Sequence, residues 1–333
     1  MIDHRLRTSA AAFVSIALAL ASTTSAAQLS PAPATARTDA QTEEIVVTAQ
    51  RSGIPVWRVV GPTTTIVLVG SIRAVAAGTR WDPVPLEAAL TQADRVMFPE
   101  STAISLGLFS AIGTLSKWRK QATLPKGQTL QAFTTPAQYA RLVALRDKGI
   151  LKPGFERKHP YHLAMTLDGV SRDKPDLAPN ADAYVSRFLR KNKEKRVLLA
   201  QGDAKSFISE FFDMSPRAHI PCLMAAVAKA EAGPAGAEAR ADAIKARSEA
   251  WAARRVPEAL AASKGGEDRF CWPAGGRFET ARQQAVSPTV RGLLNKPQVT
   301  LAVMSLDTLA KPGGVLDDLV AAGFDVRGPQ WKR

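Results

Sequence analysis

The chain has 333 residues, 46% of them hydrophobic and 6% aromatic, and a formal net charge of +14. That length suits one large domain, or one domain with a sizeable insertion, and the composition is ordinary for a globular α/β protein. No segment after the N-terminal leader is long or apolar enough to span a bilayer, which argues against a membrane-embedded function.

Residues 1–27 combine a basic start (His4, Arg5, Arg7), an apolar stretch from Ala10 to Ala21 and small residues at Ser25-Ala26-Ala27. This is the pattern of a cleaved secretory signal peptide, and its apolar run is too short for an anchor. The mature protein is therefore expected outside the cytoplasm. A basic surface then favours anionic partners such as acidic polysaccharide or lipid headgroups, and a secreted location makes nucleic acid the least fitting of them. Residues 28–53 are rich in Ala, Thr, Pro and Ser and read as a disordered linker. Within it, Glu43-Glu44-Ile45-Val46-Val47-Thr48-Ala49 resembles the TonB box of outer-membrane receptors, a segment that could add a strand to a partner sheet.

From residue 54 the chain reads as α/β. Thr65-Ile66-Val67-Leu68-Val69 is a β-branched run closed by Gly70, as in a strand buried on both faces. Gly70 to Arg73 then sits at the carboxyl end of a central strand, where open α/β sheets bind ligands. Pro83 and Pro85 frame a helix start, and Val96-Met97-Phe98 begins a second strand. Residues 101–124 read as an amphipathic helix, and Thr134-Thr135-Pro136 caps the next one. His159 and His162 are three apart and could share a metal or haem. The proline between them and the lack of a third ligand nearby favour a packing role.

Asp182 to Lys195 reads as a basic helix, followed by a third buried strand at Val197-Leu198-Leu199-Ala200 and Gln201-Gly202-Asp203 at its crevice end. The Ala-rich, charged run from Val227 to Ala262 reads as a helical hairpin broken at Gly233-Pro234-Ala235-Gly236. Leu301-Ala302-Val303-Met304 is again a buried strand. Pro312-Gly313-Gly314 leads into a helix over 315–322, and Phe324-Asp325-Val326 gives an edge strand.

The order Trp57-Arg58-Val59, apolar strand, Gly70-Ser71-Ile72-Arg73, Leu86-Glu87-Ala88-Ala89-Leu90, Ala93-Asp94 and a strand ending near Glu100 resembles the TraB/GumN family. So does the C-terminal pattern from Gly313 to Val326. The resemblance implies a central mixed β-sheet flanked by helices, with an α-helical insertion, an architecture of the Tiki/EreA/ChaN kind. It also implies a metalloprotease-like site of two G-x-x-H motifs and an acidic residue at the end of the second strand. Here Arg73 and Thr308 stand where the two histidines would be, and the acidic position falls on Pro99, with Glu100 one residue late. An arginine has no lone pair for a metal, and a one-residue shift turns a strand side chain to the other face. The family's divalent metal is accordingly expected to be lost, with no cofactor in its place.

Arg282 matches an arginine that the family places on the helix before its last core strand. The two cysteines, Cys222 and Cys271, are an even count in a secreted chain, which permits one disulfide; family members carry a similar pair around a helical insertion, here at about 222–271. Closing that loop would stabilise the fold by about 4 kcal/mol in the chain-entropy view.

Three function classes follow. The first is a catalytically degenerate periplasmic protein of this family that binds an anionic or peptide ligand through Gly70, Ser71, Arg73, Ser305, Asp307 and Thr308. The second is a hydrolase using Glu100 or Asp307 as base, with Arg73 and Arg282 stabilising charge. The third is an interaction protein working through residues 43–49.

Overall fold

The computed structural model describes residues 34–99, 122–170, 176–199, 210–211, 213–262 and 276–332. The leader, Glu100, residues 101–121 of the helix expected over 101–124, Gly202-Asp203 and Cys271 lie outside them. Residues from Ala34 onward belong to one compact unit.

A six-stranded mixed sheet forms its centre. Strands β1 (Val56–Val60) and β2 (Thr65–Ser71) are an antiparallel hairpin, and β4 (Arg95–Met97), β6 (Arg196–Val197), β7 (Thr300–Ser305) and β8 (Asp325–Arg327) complete the order β6-β4-β7-β2-β1-β8. β2, β7, β4 and β6 are mutually parallel, and β8 pairs antiparallel with β1 at the far edge. Every residue of β2 is buried, as is β7 up to its last residue, which is what continuous apolar runs covered on both faces require. A separate two-stranded sheet joins β3 (Val75–Ala76) to β5 (Leu177–Ala178). The run at 197–199 proves to be an edge, not a buried strand: β6 has two half-buried residues, and Leu198 is 73% exposed.

Helix α1 (Ala34–Gln50) corrects the linker expectation. Thr42, Ile45, Val46 and Ala49 recur at helical spacing and are buried, so the segment packs on β2 and on α2 (Pro83–Gln92). Gln41 donates to the Gln92 carbonyl, Gln92 donates to Glu44 at 3.0 Å, and Arg58 pairs with Glu43 at 2.6 Å. The motif resembling a TonB box is thus a helical face already committed to the core. At the start of α2 the Asp82 carboxylate accepts from the Val84 amide, with Pro83 in the first turn.

A second core is built from α3 (Pro136–Asp147), α4 (Pro160–Val170) and the first half of α6 (Ile220–Ala252), with Leu130, Leu142, Leu145, Phe155, Leu163 and Leu223 among its buried members. The Thr135–Gln138 capping box starts α3 as its sequence suggested. The second core therefore draws on residues 124–167 as well as on residues 220–227, at the start of the insertion expected at 222–271. Gly233, at φ 55° and ψ −151°, kinks α6. Its first half packs in the second core, while Ala250 and Trp251 near its end enter the main one. The remaining α-helices among the described residues are α5 (Ala181–Lys191), α7 (Val256–Ala261), α8 (Arg277–Leu293), α9 (Leu306–Ala310) and α10 (Val315–Ala321).

Candidate functional site at the carboxyl edge of the sheet

The parallel pairing sets Gly70 against Met304 and Ser71 against Ser305, so the ends of β2 and β7 lie side by side. Gly70 is required there: a Cβ would come within 2.8 Å of Leu306 and 3.1 Å of Trp57. Its carbonyl accepts a 2.7 Å hydrogen bond from the buried indole Nε1 of Trp251. Trp251 stacks edge-on against Trp81, which meets Tyr184 of α5 in the same way, so aromatic rings close this part of the crevice.

Beyond β2 the chain bends at Arg73, which is exposed, while Ser71 and Ile72 are buried. Asn180 fixes the bend: its Nδ2 donates to the Arg73 carbonyl at 2.6 Å while its Oδ1 caps α5 through the Ala183 amide. This brings Asp182, in the first turn of α5, to the site. Burial pushes the Asp182 carboxyl above the usual aspartate range, and the Ser71 hydroxyl and the Arg73 charge offset part of that rise. Ser71 Oγ and Asp182 Oδ1 are both buried, and neither has a hydrogen-bond partner of good geometry among the described residues.

At the end of β7, Ser305 caps α9: its Oγ accepts from the Thr308 amide at 3.1 Å and lies 2.7 Å from the Thr308 hydroxyl. Asp307 forms a 2.7 Å ion pair with Arg247 of α6, whose side chain is 5% exposed against 22% for Asp307. Next to Arg247, the Ser248 hydroxyl accepts from the Ala76 amide of β3. Helix α6 therefore braces both strand ends, through Trp251 on β2 and Arg247 on α9.

Of the residues singled out in the sequence, Gly70, Ser71, Arg73, Ser305, Asp307 and Thr308 meet at this edge. Phe98 and Pro99 at the end of β4 are buried, Glu100 lies outside the described residues, and Arg282 is on α8, where its side chain is not described. Cys222 is buried in the first turn of α6, and its expected partner Cys271 lies outside the described residues. Three functional candidates, Asp182, Arg247 and Trp251, carry no local motif; only an acid in the first turn of a helix hinted at Asp182.

The imidazoles sit elsewhere. His159 and His219 meet at 4.9 Å between ring centroids in the second core, beside Tyr161 and Phe211. Burial pulls both down to about 4, helped at His159 by the neighbouring His219 and His162. Among the described residues no group of three or more His, Cys, Asp or Glu could hold a metal ion.

The sequence profile of the TraB/PrgY/gumN family matches residues 55–328. The chain belongs to that family. Comparison with curated proteins and with solved structures returned no match. Within this TraB/PrgY/gumN member, the matched region starts one residue before β1 and runs one residue past β8, so it takes in the whole central sheet but not α1. No helix among its described residues is long and apolar enough to cross a membrane.

Proposed function

We propose that this TraB/PrgY/gumN protein is exported through its residues 1–27 to the cell envelope, where it has given up metal-dependent hydrolysis and holds an anionic or peptide ligand at the carboxyl edge of its sheet. The observation that carries this reading is the state of the residues at the ends of β2 and β7. Arg73 offers a guanidinium where a metal would need an imidazole, the Thr308 hydroxyl is engaged by Ser305, and the Asp307 carboxylate is engaged by Arg247. The described residues at this edge do not fit a divalent metal. Side chains of α6 hold the two strand ends instead, Trp251 at Gly70 and Arg247 at Asp307. Exposed Arg73 supplies the charge for a carboxylate or phosphate. A Cys222–Cys271 disulfide belongs to the same reading and would show as a mass increase of the alkylated protein only after reduction.

The test is metal content of the purified mature protein by mass spectrometry, with a thermal-shift series over Mn, Co and Zn. The expected result is no stoichiometric metal and no shift. Stoichiometric metal, or clear stabilisation by one of these ions, would overturn the proposal.

A second reading rests on Asp182. A carboxyl held above its usual range beside a buried hydroxyl and an arginine is the kind of group that serves in acid–base chemistry. Peptide hydrolysis by the wild type that is lost in Asp182→Asn, with folding intact, would favour a hydrolase. No hydrolysis by either protein removes this reading.

A further inference from the structure

Helix α6 ends in a Schellman motif: the Arg255 amide donates to the Ala250 carbonyl at 2.8 Å and the Arg254 amide to the Trp251 carbonyl at 3.0 Å. The motif places its C′ residue in the left-handed region, where glycine is preferred because a Cβ is penalised. Here that residue is Arg254, at φ 58°, the one non-glycine residue with positive φ among the described residues. A strained backbone at a position where glycine would suffice points to a use for the side chain.

The Arg254 guanidinium donates to the carbonyl of Gln50 at the end of α1, which holds it in place and leaves further N–H donors available. It faces a cleft of about 830 Å³ whose walls also include Gln50, Arg255, Glu258, Gln330 and Lys332. Arg255 is exposed and has no counter-ion among the described residues. Lys332 shares its ammonium with Asp317 at 3.0 Å. With Lys332 paired to Asp317, Arg254 and Arg255 against Glu258 leave the cleft a positive balance, and the amides of Gln50 and Gln330 supply neutral donors and acceptors. The volume is that of a small-molecule site rather than of a single ion.

We propose that this cleft is a second binding site, for a small molecule carrying at least two oxyanion groups, carboxylate or phosphate, gripped by Arg254 and Arg255. Planar guanidinium groups match either oxyanion with paired hydrogen bonds, whereas the amides suit the hydroxyl or carbonyl groups between them. Arg254 stands three residues from Trp251, whose indole holds the Gly70 carbonyl, so the helix end that forms the cleft also closes the crevice. The proposal does not depend on what the crevice binds.

The test is calorimetric titration of the mature protein at low salt with citrate and with pyrophosphate, which separate carboxylate from phosphate recognition. Arg254→Gly is the decisive variant, because it relieves the backbone strain while removing the guanidinium. It is expected to change the melting temperature little, the relieved strain offsetting the lost bond to the Gln50 carbonyl, and to weaken binding at least tenfold. Arg255→Ala is expected to weaken binding by a similar factor, and Arg146→Ala, on α3 and away from both sites, to leave it unchanged. The proposal is overturned if neither probe binds at millimolar concentration, if binding survives both cleft substitutions, or if Arg146→Ala weakens it as much as they do.

Discussion

Asp307→Ala tests whether the carboxylate after β7 serves the fold or a ligand. In the structure it meets Arg247 at 2.7 Å, and the guanidinium side chain is 5% exposed while the carboxylate side chain is 22% exposed. Breaking a buried pair by removing one partner costs about 3–5 kcal/mol, because a charge is left buried without its counter-ion. The two truncations should be unequal. Asp307→Ala strands the more buried group and is expected to cost about 3 kcal/mol, at the lower end because water already reaches this pair. Arg247→Met leaves a carboxylate that can turn to solvent and should cost about 1–2 kcal/mol, in the range of an unmade charged hydrogen bond. The double variant should resemble Arg247→Met, so the coupling energy should equal the cost of Asp307→Ala, about 3 kcal/mol. Urea unfolding of the mature protein measures all three, with the midpoint shifting at constant slope. A cost below about 0.5 kcal/mol for Asp307→Ala, or strict additivity of the two singles, would refute the structural role and return Asp307 to the pool of ligand-binding or basic groups.

Gly70→Ala should destabilise by about 1–3 kcal/mol, since its methyl would press on Leu306 and Trp57, and an unchanged urea midpoint would contradict that packing. Ile45→Ala should cost about 2–5 kcal/mol because Ile45 is fully buried on α1, whereas a free linker would register no change. Acid should weaken the second core. His159 and His219 are held at about 4 in the folded chain against an ordinary 6.5, so between these values the unfolded chain binds more protons. Stability should therefore fall as pH drops below 6.5, with the histidine contribution complete near 4, and a urea midpoint that is flat over that window would contradict their burial as neutral groups.

What the sequence disclosed was local. Thr65–Val69 and Leu301–Met304 announce themselves as buried strands because each β-branched or apolar residue is covered in place, and the register then sets Ser71 beside Ser305. The same kind of run at Val197-Leu198-Leu199 misleads, because an apolar run does not say where in the sheet the strand lies; at the edge, Leu198 faces solvent. Residues 34–50 mislead for a different reason. Their Ala and Thr content suggests a linker, while the spacing of Thr42, Ile45, Val46 and Ala49 is that of a helix stripe, and period outranks composition.

The crevice was legible only on its strand side. Arg247 and Trp251 reach it from 60 and 181 residues away in sequence, with no motif around either. Their spacing nevertheless explains their joint role. Four residues apart on one helix, they project from the same face. A single helix thus delivers an indole to the Gly70 carbonyl and a guanidinium to the Asp307 carboxylate, fixing the ends of two parallel strands at once. Both fixings depend on where α6 ends, and that end is the Schellman turn in which Arg254 holds the Gln50 carbonyl of α1. The helix outside the family match is in this way tied to the edge of the sheet on which the crevice is built, so α1 is expected to be as necessary to the site as to the core.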